Sequence, residues 1–400
     1  MPLLVASSSN NCFGIVCGSE IAFIDAKDTS HTGISQKSKL FHEKSLGADL
    51  LSLAFPKDDR YFVGAYSNNY ICCWDIKSST ILGTFLLKKR ATSLICSQVT
   101  TAEGKKDVLL LADKTGDLYA FDLPLLRKQI FMGGHTTSVI TDICLFGSSL
   151  ASADRDEKIR IARFPDTFVI DSYCLGHSSV ISSLAVLRLS GQEYLVSTGW
   201  DHRLIIWQQD IGRPLITYTF RDFAINLAAP SPVNEHVNES SVVDGVRQDD
   251  DLEVDEEVDG EQEKDENAAG NFPFKAISAN QSPILCVIFK SIPRLEVLFA
   301  YEDNIGKDDQ QSNPSTSTPA IAVRKIYEYE LPAVPCDFVF SQDDKLLMVL
   351  FPSPEPLIAF DVHYDDKKSD FRLVRRPSID FPELAEYNSY CIEKGAKVSI

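Results

Sequence analysis

The sequence predicts an all-β fold, a closed propeller of seven four-stranded blades. Three observations predict it. Short strand-like runs recur roughly every eight to twelve residues, separated by Gly, Asn, Asp and Ser turns. Long helical periods are nearly absent. One stretch, Gly176 to Trp207, carries the spacing of a complete blade: a Gly-His pair, an Asp in a tight turn at Asp201, and a Trp six positions later.

That stretch is a WD-type repeat, and its residues have structural work to do. His177, Ser197, Asp201 and Trp207 stand where such a blade builds a hydrogen-bond chain from indole to hydroxyl to imidazole to carboxylate. Asp tolerates the turn conformation and accepts backbone donors there. The Trp buries a large ring and one N–H that needs a partner. The blade accounts for His177 and Asp201, so neither reads as catalytic.

The other units follow in order. Residues 1–45 show strand signals near 3–6, 13–17 and 21–24. The unit at 48–85 ends in Tyr70-Ile71-Cys72-Cys73-Trp74-Asp75, with Trp74 in the core Trp slot and Asn68 replacing the turn Asp. The unit at 91–130 has Phe121 in that slot. The unit at 135–170 has His135, Ser152 and, by spacing, Asp156, but Ala162 where the Trp would stand. The best match, 177–217, is the fifth unit. Two degenerate units follow at about 275–330 and 333–373, marked by the runs 284–289, 346–351 and 357–361. The propeller is therefore expected to occupy 1–228 with five blades and 272–375 with two. Between them, 229–271 is read as a disordered acidic insertion, because its Pro, Asn, Ser, Asp and Glu cannot bury enough apolar surface to fold. Residues 303–319 read as a polar loop. Residues 376–400 read as a tail with a short helix near 382–387.

Composition narrows the class of function. The formal charge of −18 is concentrated: residues 244–266 hold 13 Asp or Glu against Arg247 and Lys264, a net −11. The remaining 37 Lys or Arg against 44 Asp or Glu leave only −7, so a local basic face is compatible with the rest. The ten Cys form no C-x-x-C pair and lie mostly in apolar runs, the pattern of reduced thiols used as small core residues. The first residues lack the charge and apolar length of a signal peptide, and no apolar run approaches a membrane span. The chain reads as a soluble intracellular protein.

The charged strand Asp154-Arg155-Asp156-Glu157-Lys158-Ile159-Arg160-Ile161 is unusual for a blade. Period-two alternation puts Ile159 and Ile161 on one buried face and predicts that Lys158 and Arg160 face away from it. Asp156 is expected in the inter-strand turn. The run 153–160, followed by Tyr173-Cys174-Leu175-Gly176-His177, resembles the WD-repeat, non-catalytic subunit of the eukaryotic tRNA (guanine-N7)-methyltransferase. Detailed resemblance covers roughly residues 48–217; Trp200 departs from it, since small residues usually precede the turn Asp.

The resemblance implies a heterodimer in which a separate subunit binds S-adenosylmethionine and transfers the methyl group. The propeller would stabilise that subunit and help place tRNA, whose variable-loop guanosine is modified. It implies partner-binding roles for Arg160, paired with a carboxylate of the catalytic subunit, and for Asp156 and Lys158 beside it. Arg suits such a role because its planar fork can bind a carboxylate with two parallel bonds. It also implies a nuclear location, with a cytoplasmic pool in addition. No cofactor is expected on this chain, which has neither a G-x-G-x-x-G after a strand nor a G-x-x-x-x-G-K-[ST] loop, and no metal-ligand spacing among its seven His. Weak tRNA-contact candidates are Lys88, Lys89, Arg90, Lys105 and Lys106, with Lys367, Lys368, Arg375 and Arg376 further along. The rival reading is a substrate receptor of a cullin-type ubiquitin ligase or a general interaction scaffold. Such receptors carry Trp-Asp-x-Arg at a strand end. Here those letters occur at Trp200-Asp201-His202-Arg203, in a turn, while the strand ends read 74–77 and 207–210 without the Arg.

Overall fold

The computed structural model describes residues 3–6, 12–17, 20–25, 39–42, 48–57, 60–208, 212–220, 272–303, 320–341, 343–351, 357–365 and 370–376. The expected insertion at 229–271, the segment 304–319, Lys367, Lys368 and the tail beyond 376 lie outside these residues. The described residues form 28 strands in seven four-stranded antiparallel sheets, each taking consecutive strands in order. All-β, seven-bladed architecture is therefore observed.

Blade 1 is β1 (Leu3–Ala6), β2 (Cys12–Cys17), β3 (Glu20–Asp25) and β4 (Lys39–His42). Blade 2 is β5 (Leu50–Ala54), β6 (Tyr61–Tyr66), β7 (Tyr70–Asp75) and β8 (Ile81–Leu86). Blade 3 is β9 (Ala91–Thr101), β10 (Gly104–Asp113), β11 (Asp117–Asp122) and β12 (Gln129–Gly134). Blade 4 is β13 (Ile140–Phe146), β14 (Ser149–Asp154), β15 (Lys158–Arg163) and β16 (Ile170–Leu175). Blade 5 is β17 (Ile181–Leu189), β18 (Gln192–Gly199), β19 (Arg203–Trp207) and β20 (Pro214–Thr219). Blade 6 is β21 (Pro273–Ser278), β22 (Ile284–Phe289), β23 (Arg294–Asp303) and β24 (Ala320–Glu330). Blade 7 is β25 (Asp337–Phe340), β26 (Leu346–Leu350), β27 (Leu357–Asp365) and β28 (Asp370–Arg375).

The first strand of each blade touches the first strand of the next, and β1 lies against both β5 and β25, so the ring closes edge to edge. Alternating strand direction puts the loop entering each first strand on the same face as the turn between second and third strands. Backbone bonds confirm the pairing in successive blades: Ser67 N to Asp49 O, Lys114 N to Arg90 O, Arg155 N to Val139 O and Trp200 N to Val180 O, all 2.8–3.1 Å. This face is called the entry face below.

The core is a series of interblade layers, and period-two alternation distributes side chains between them. On β10, Leu109 and Leu111 pack toward blade 2 with Val63, Ala65 and Cys73. Leu110 and Ala112, one residue offset, pack toward blade 4 with Ile140, Ile143 and Leu150. The second and third strands are thus covered on both sides, which is why they read as continuous apolar runs rather than as alternating ones. Asp142 on β13 adds a polar tie across three blades, accepting from Ser93 Oγ of blade 3 at 3.0 Å and from Leu184 N of blade 5 at 2.8 Å. Burial pushes its carboxyl up, against the lowering effect of those donors and of Lys275.

Candidate partner-docking surface on blades 3 and 4

Blade 5 sets the reference geometry. Trp207 Nε1 donates to Ser197 Oγ at 2.8 Å, Ser197 Oγ meets His177 Nε2 at 2.7 Å, and His177 Nδ1 meets both Asp201 carboxylate oxygens at 3.0 Å. Gly199 makes room for this: a Cβ there would fall 2.7 Å from His177 Nδ1 and 2.9 Å from Asp201 Oδ1. Trp207 and Ser197 are fully buried. Ser197→Ala is expected to cost about 2–3 kcal/mol in urea denaturation, because an indole N–H and an imidazole nitrogen lose their partner away from water. In blade 2, Trp74 Nε1 donates instead to Tyr66 Oη at 3.2 Å, and Asn68 Oδ1 accepts the Tyr70 N–H.

Blade 4 solves the same problem differently, and here the sequence expectation for Asp156 is corrected. His135 Nε2 meets Ser152 Oγ at 2.7 Å, but His135 Nδ1 meets Asp154 Oδ2 at 2.9 Å. Asp154 occupies the slot that Gly199 fills in blade 5, two residues after the blade Ser. Its side chain enters the space Asp201 uses there, so the carboxylate comes from two positions earlier in the chain. Asp156 is left exposed in the turn, followed by Glu157 with a φ of 70°.

Both carboxylates of these chains sit below the ordinary range. Burial opposes this for Asp201, but the His177 hydrogen bond and charge and the N–H groups of Ser178 and Arg203 outweigh it. Burial likewise opposes it for Asp154, and His135, the Lys158 N–H and the charges of both residues prevail. A depressed carboxylate stabilises the fold fully above the unfolded value, about 3.9, and loses that contribution as pH falls through the folded value. Wild-type stability is therefore expected to fall on acidification below about pH 4, and Asp201→Asn to show a shallower acid limb in denaturation measured across pH.

Arg160 is the second correction. It faces away from Ile159 and Ile161 as alternation predicts, but into the layer against blade 3 and not out of the core, with only 6% exposed. Ile159 and Ile161 join the layer between blades 4 and 5. Arg160, between them, therefore points toward blade 3, because a third strand has a neighbour on both sides. Its Nη1 donates to Gly134 O at 2.5 Å and its Nη2 to Thr167 O at 2.6 Å. Thr167 Oγ1 in turn donates to Met132 O at 2.5 Å. Gly133 has φ 97°, and a Cβ there would lie 3.2 Å from Arg160 Nη2. Arg160 is thus a strut joining β12, β15 and the loop at 166–169. Burial holds its pKa below the usual guanidinium value. Lys158 is exposed, its N–H bonded to Asp154 Oδ1 at 2.9 Å.

Above this strut lies a feature that the sequence reading missed. Ile130 and Phe131 on β12, Phe168 and Val169 in the following blade's loop, and Ile170, Tyr173 and Leu175 on β16 are all exposed, Phe168 at 64% and Leu175 at 63%. The rings of Phe131 and Phe168 meet across the two blades at 6.1 Å, and Tyr119 meets Phe131 at 5.8 Å. A contiguous apolar strip of this kind on an outer edge marks an interaction site. Its sequence signal was the run Phe168-Val169-Ile170 followed by Tyr173 and Leu175, on a fourth strand that has cover on one side only.

The basic candidates separate. Lys88, Lys89 and Arg90 are exposed in the entry-face loop between β8 and β9. Lys105 and Lys106 are exposed on the β9–β10 hairpin, on the opposite face, where Lys106 pairs with Glu103 at 2.5 Å. Arg376 is engaged with Asp361 at 2.6 Å. Trp200 stacks on Phe272 at 4.5 Å and Asp201 serves His177, so the Trp-Asp-His-Arg letters form no strand-end ligase motif. Among the described residues, no cluster of three His, Cys, Asp or Glu could hold a metal, and no helix is long and apolar enough to cross a membrane.

Comparison with known proteins bears on the same segment. The tRNA methyltransferase TRM82 WD40 domain family matches residues 131–258. The tRNA (guanine-N(7)-)-methyltransferase non-catalytic subunit wdr4 of Xenopus laevis is 31% identical over 188 residues, 46% of each chain. The corresponding subunit wuho of Drosophila grimshawi is 36% identical over 145 residues, 36% of each chain. The matched stretch therefore spans less than half the length of these relatives. The chain is similar to these WD-repeat non-catalytic subunits. In fold, it is similar to a chain of the mitotic checkpoint complex, with a TM-score of 0.58 at 13% identity over 94% of this chain and 90% of that one. It is equally similar to U3-55K, with a TM-score of 0.57 at 13% identity over 87% and 86%. Those two likenesses show a shared propeller.

Proposed function

We propose that this chain is the non-catalytic scaffold subunit of a heterodimeric tRNA (guanine-N7)-methyltransferase. A separate catalytic subunit carries S-adenosylmethionine and the chemistry. This chain docks on it, holds it in an active shape and helps position tRNA for methylation of the variable-loop guanosine. One coincidence carries the reading: the apolar strip and the charged turn beside it lie almost wholly within the 131–258 stretch that matches the methyltransferase family. Phe131 and Phe168 act as buried anchors once the partner is bound, and Asp156 and Lys158 lie at the polar rim. Arg160 supports this surface from beneath, through Gly134 and Thr167. The complex is nuclear, with a cytoplasmic pool in addition.

Affinity purification of the tagged chain, with mass spectrometry of what co-purifies, tests this. A Rossmann-type methyltransferase recovered with the wild-type chain, together with N7-methylation of a tRNA transcript by the eluate, is the expected result. An eluate with no methyltransferase would overturn the reading and leave a propeller scaffold of other function.

A further inference from the structure

The structure brings Lys114 to the entry-face loop that carries Lys88, Lys89 and Arg90, a grouping invisible in the sequence. Lys114 N donates to Arg90 O at 3.0 Å, and Leu87 N to Asn69 O at 2.9 Å, fixing this loop against the turns of blades 2 and 3. All four side chains are exposed. Among the described residues, none of the four has an ion-pair partner. The nearest acid in the turn, Asp113, is buried and engaged with Thr115 N, Thr115 Oγ1 and Asp117 N.

The opposite face differs. There, Lys106 pairs with Glu103, Arg163 with Asp171 and Arg188 with Glu193, while Lys105 is exposed. On a chain of net charge −18, a group of four unmatched cations on one loop and turn is a local reversal of sign. Leu86, two residues before Lys88 at the end of the fourth strand of blade 2, is 57% exposed, so the group begins at the outer rim of the entry face.

We propose that Lys88, Lys89, Arg90 and Lys114 form a contact surface for an RNA phosphate backbone. The identity of that RNA as tRNA rests on the proposed function; the surface itself does not. No exposed aromatic is interleaved with the four cations, so the contact follows the backbone and carries no base specificity. It lends affinity to a complex whose partner selects the nucleotide.

The test is a titration of a tRNA transcript against the isolated full chain across a salt series, for wild type, Lys88→Glu/Lys89→Glu and Lys105→Glu/Lys106→Glu. Each phosphate contact contributes roughly one to the slope of log affinity against log salt. The first pair is expected to weaken binding at least about tenfold at low salt and to flatten the slope by about two. The second pair is expected to match wild type. All six substituted or retained side chains are exposed, and thermal melts confirm that the variants fold. Equal effects of the two pairs, or no tRNA binding at the lowest salt, would overturn the proposal. So would poly-glutamate competing as strongly as a second RNA, since the surface would then favour an acidic polypeptide. Each of these failures leaves the co-purification result, and with it the proposed function, standing.

Discussion

Replacing Arg160 with Ala is expected to destabilise the folded chain by about 3 kcal/mol in the absence of any partner. Its guanidinium donates to two carbonyls on different elements, Gly134 O on β12 and Thr167 O before β16. Hydrogen bonds from a charged donor contribute about 1.5–3 kcal/mol each, and truncation strands both carbonyls beside a cavity. Arg160→Lys keeps the charge but a single ammonium lacks the planar fork that spans two acceptors, so it restores the loss only in part. The measurement is urea denaturation, with hydrogen exchange rising at 129–134 and 166–170. An Arg160→Ala chain as stable as wild type would contradict the strut. The consequence for partner studies is specific. Loss of a partner from an Arg160 variant does not distinguish a broken intermolecular ion pair from a displaced Phe131–Phe168 surface, whereas Lys158→Glu, at an exposed position, does.

Phe168→Asp is expected to weaken partner docking roughly thirtyfold or more while leaving stability within about 0.5 kcal/mol of wild type. Phe168 is 64% exposed, so its removal opens no cavity in the free chain. A buried aromatic anchor at the centre of an interface contributes about 2 kcal/mol or more, a loss of roughly thirtyfold in affinity, and a carboxylate in its place adds desolvation. Leu175→Asp, at the far end of the strip, is expected to have a smaller effect. Titration of the catalytic subunit against each variant checks this; Phe168→Asp binding as tightly as wild type would move the interface elsewhere.

The propeller was legible in the sequence because blades repeat. Gly176-His177, Ser197, Asp201 and Trp207 declare one blade by spacing, and the turn residues count out the rest. Two local readings failed for identifiable reasons. Asp156 stood at the right distance from Ser152, but distance along the chain does not say which carboxylate reaches His135. Asp154, in a slot that is Gly199 in the next blade, reaches it first. Arg160 does face away from Ile159 and Ile161, as alternation predicts, but alternation does not say that this second side is buried as well. A third strand in a propeller has a blade on either side, and the carbonyls that receive Arg160 come from residues 26 positions earlier and 7 later. The apolar strip escaped because its parts lie on two fourth strands that only the closed ring juxtaposes. The same is true of Lys114 and Arg90, and of the division that places Lys105 and Lys106 on the other face.

On the proposed function, this chain makes a methyltransferase competent without performing the chemistry. The most direct measurement is the rate of N7-methylation of a tRNA transcript by the catalytic subunit with increasing amounts of this chain, wild type beside Phe168→Asp. No methylation by the chain alone, a rate that rises to saturation at one chain per catalytic subunit, and no such rise with Phe168→Asp are the expected results. A rate unchanged by the wild-type chain would refute the scaffold role, and a rate raised equally by Phe168→Asp would refute docking through the apolar strip.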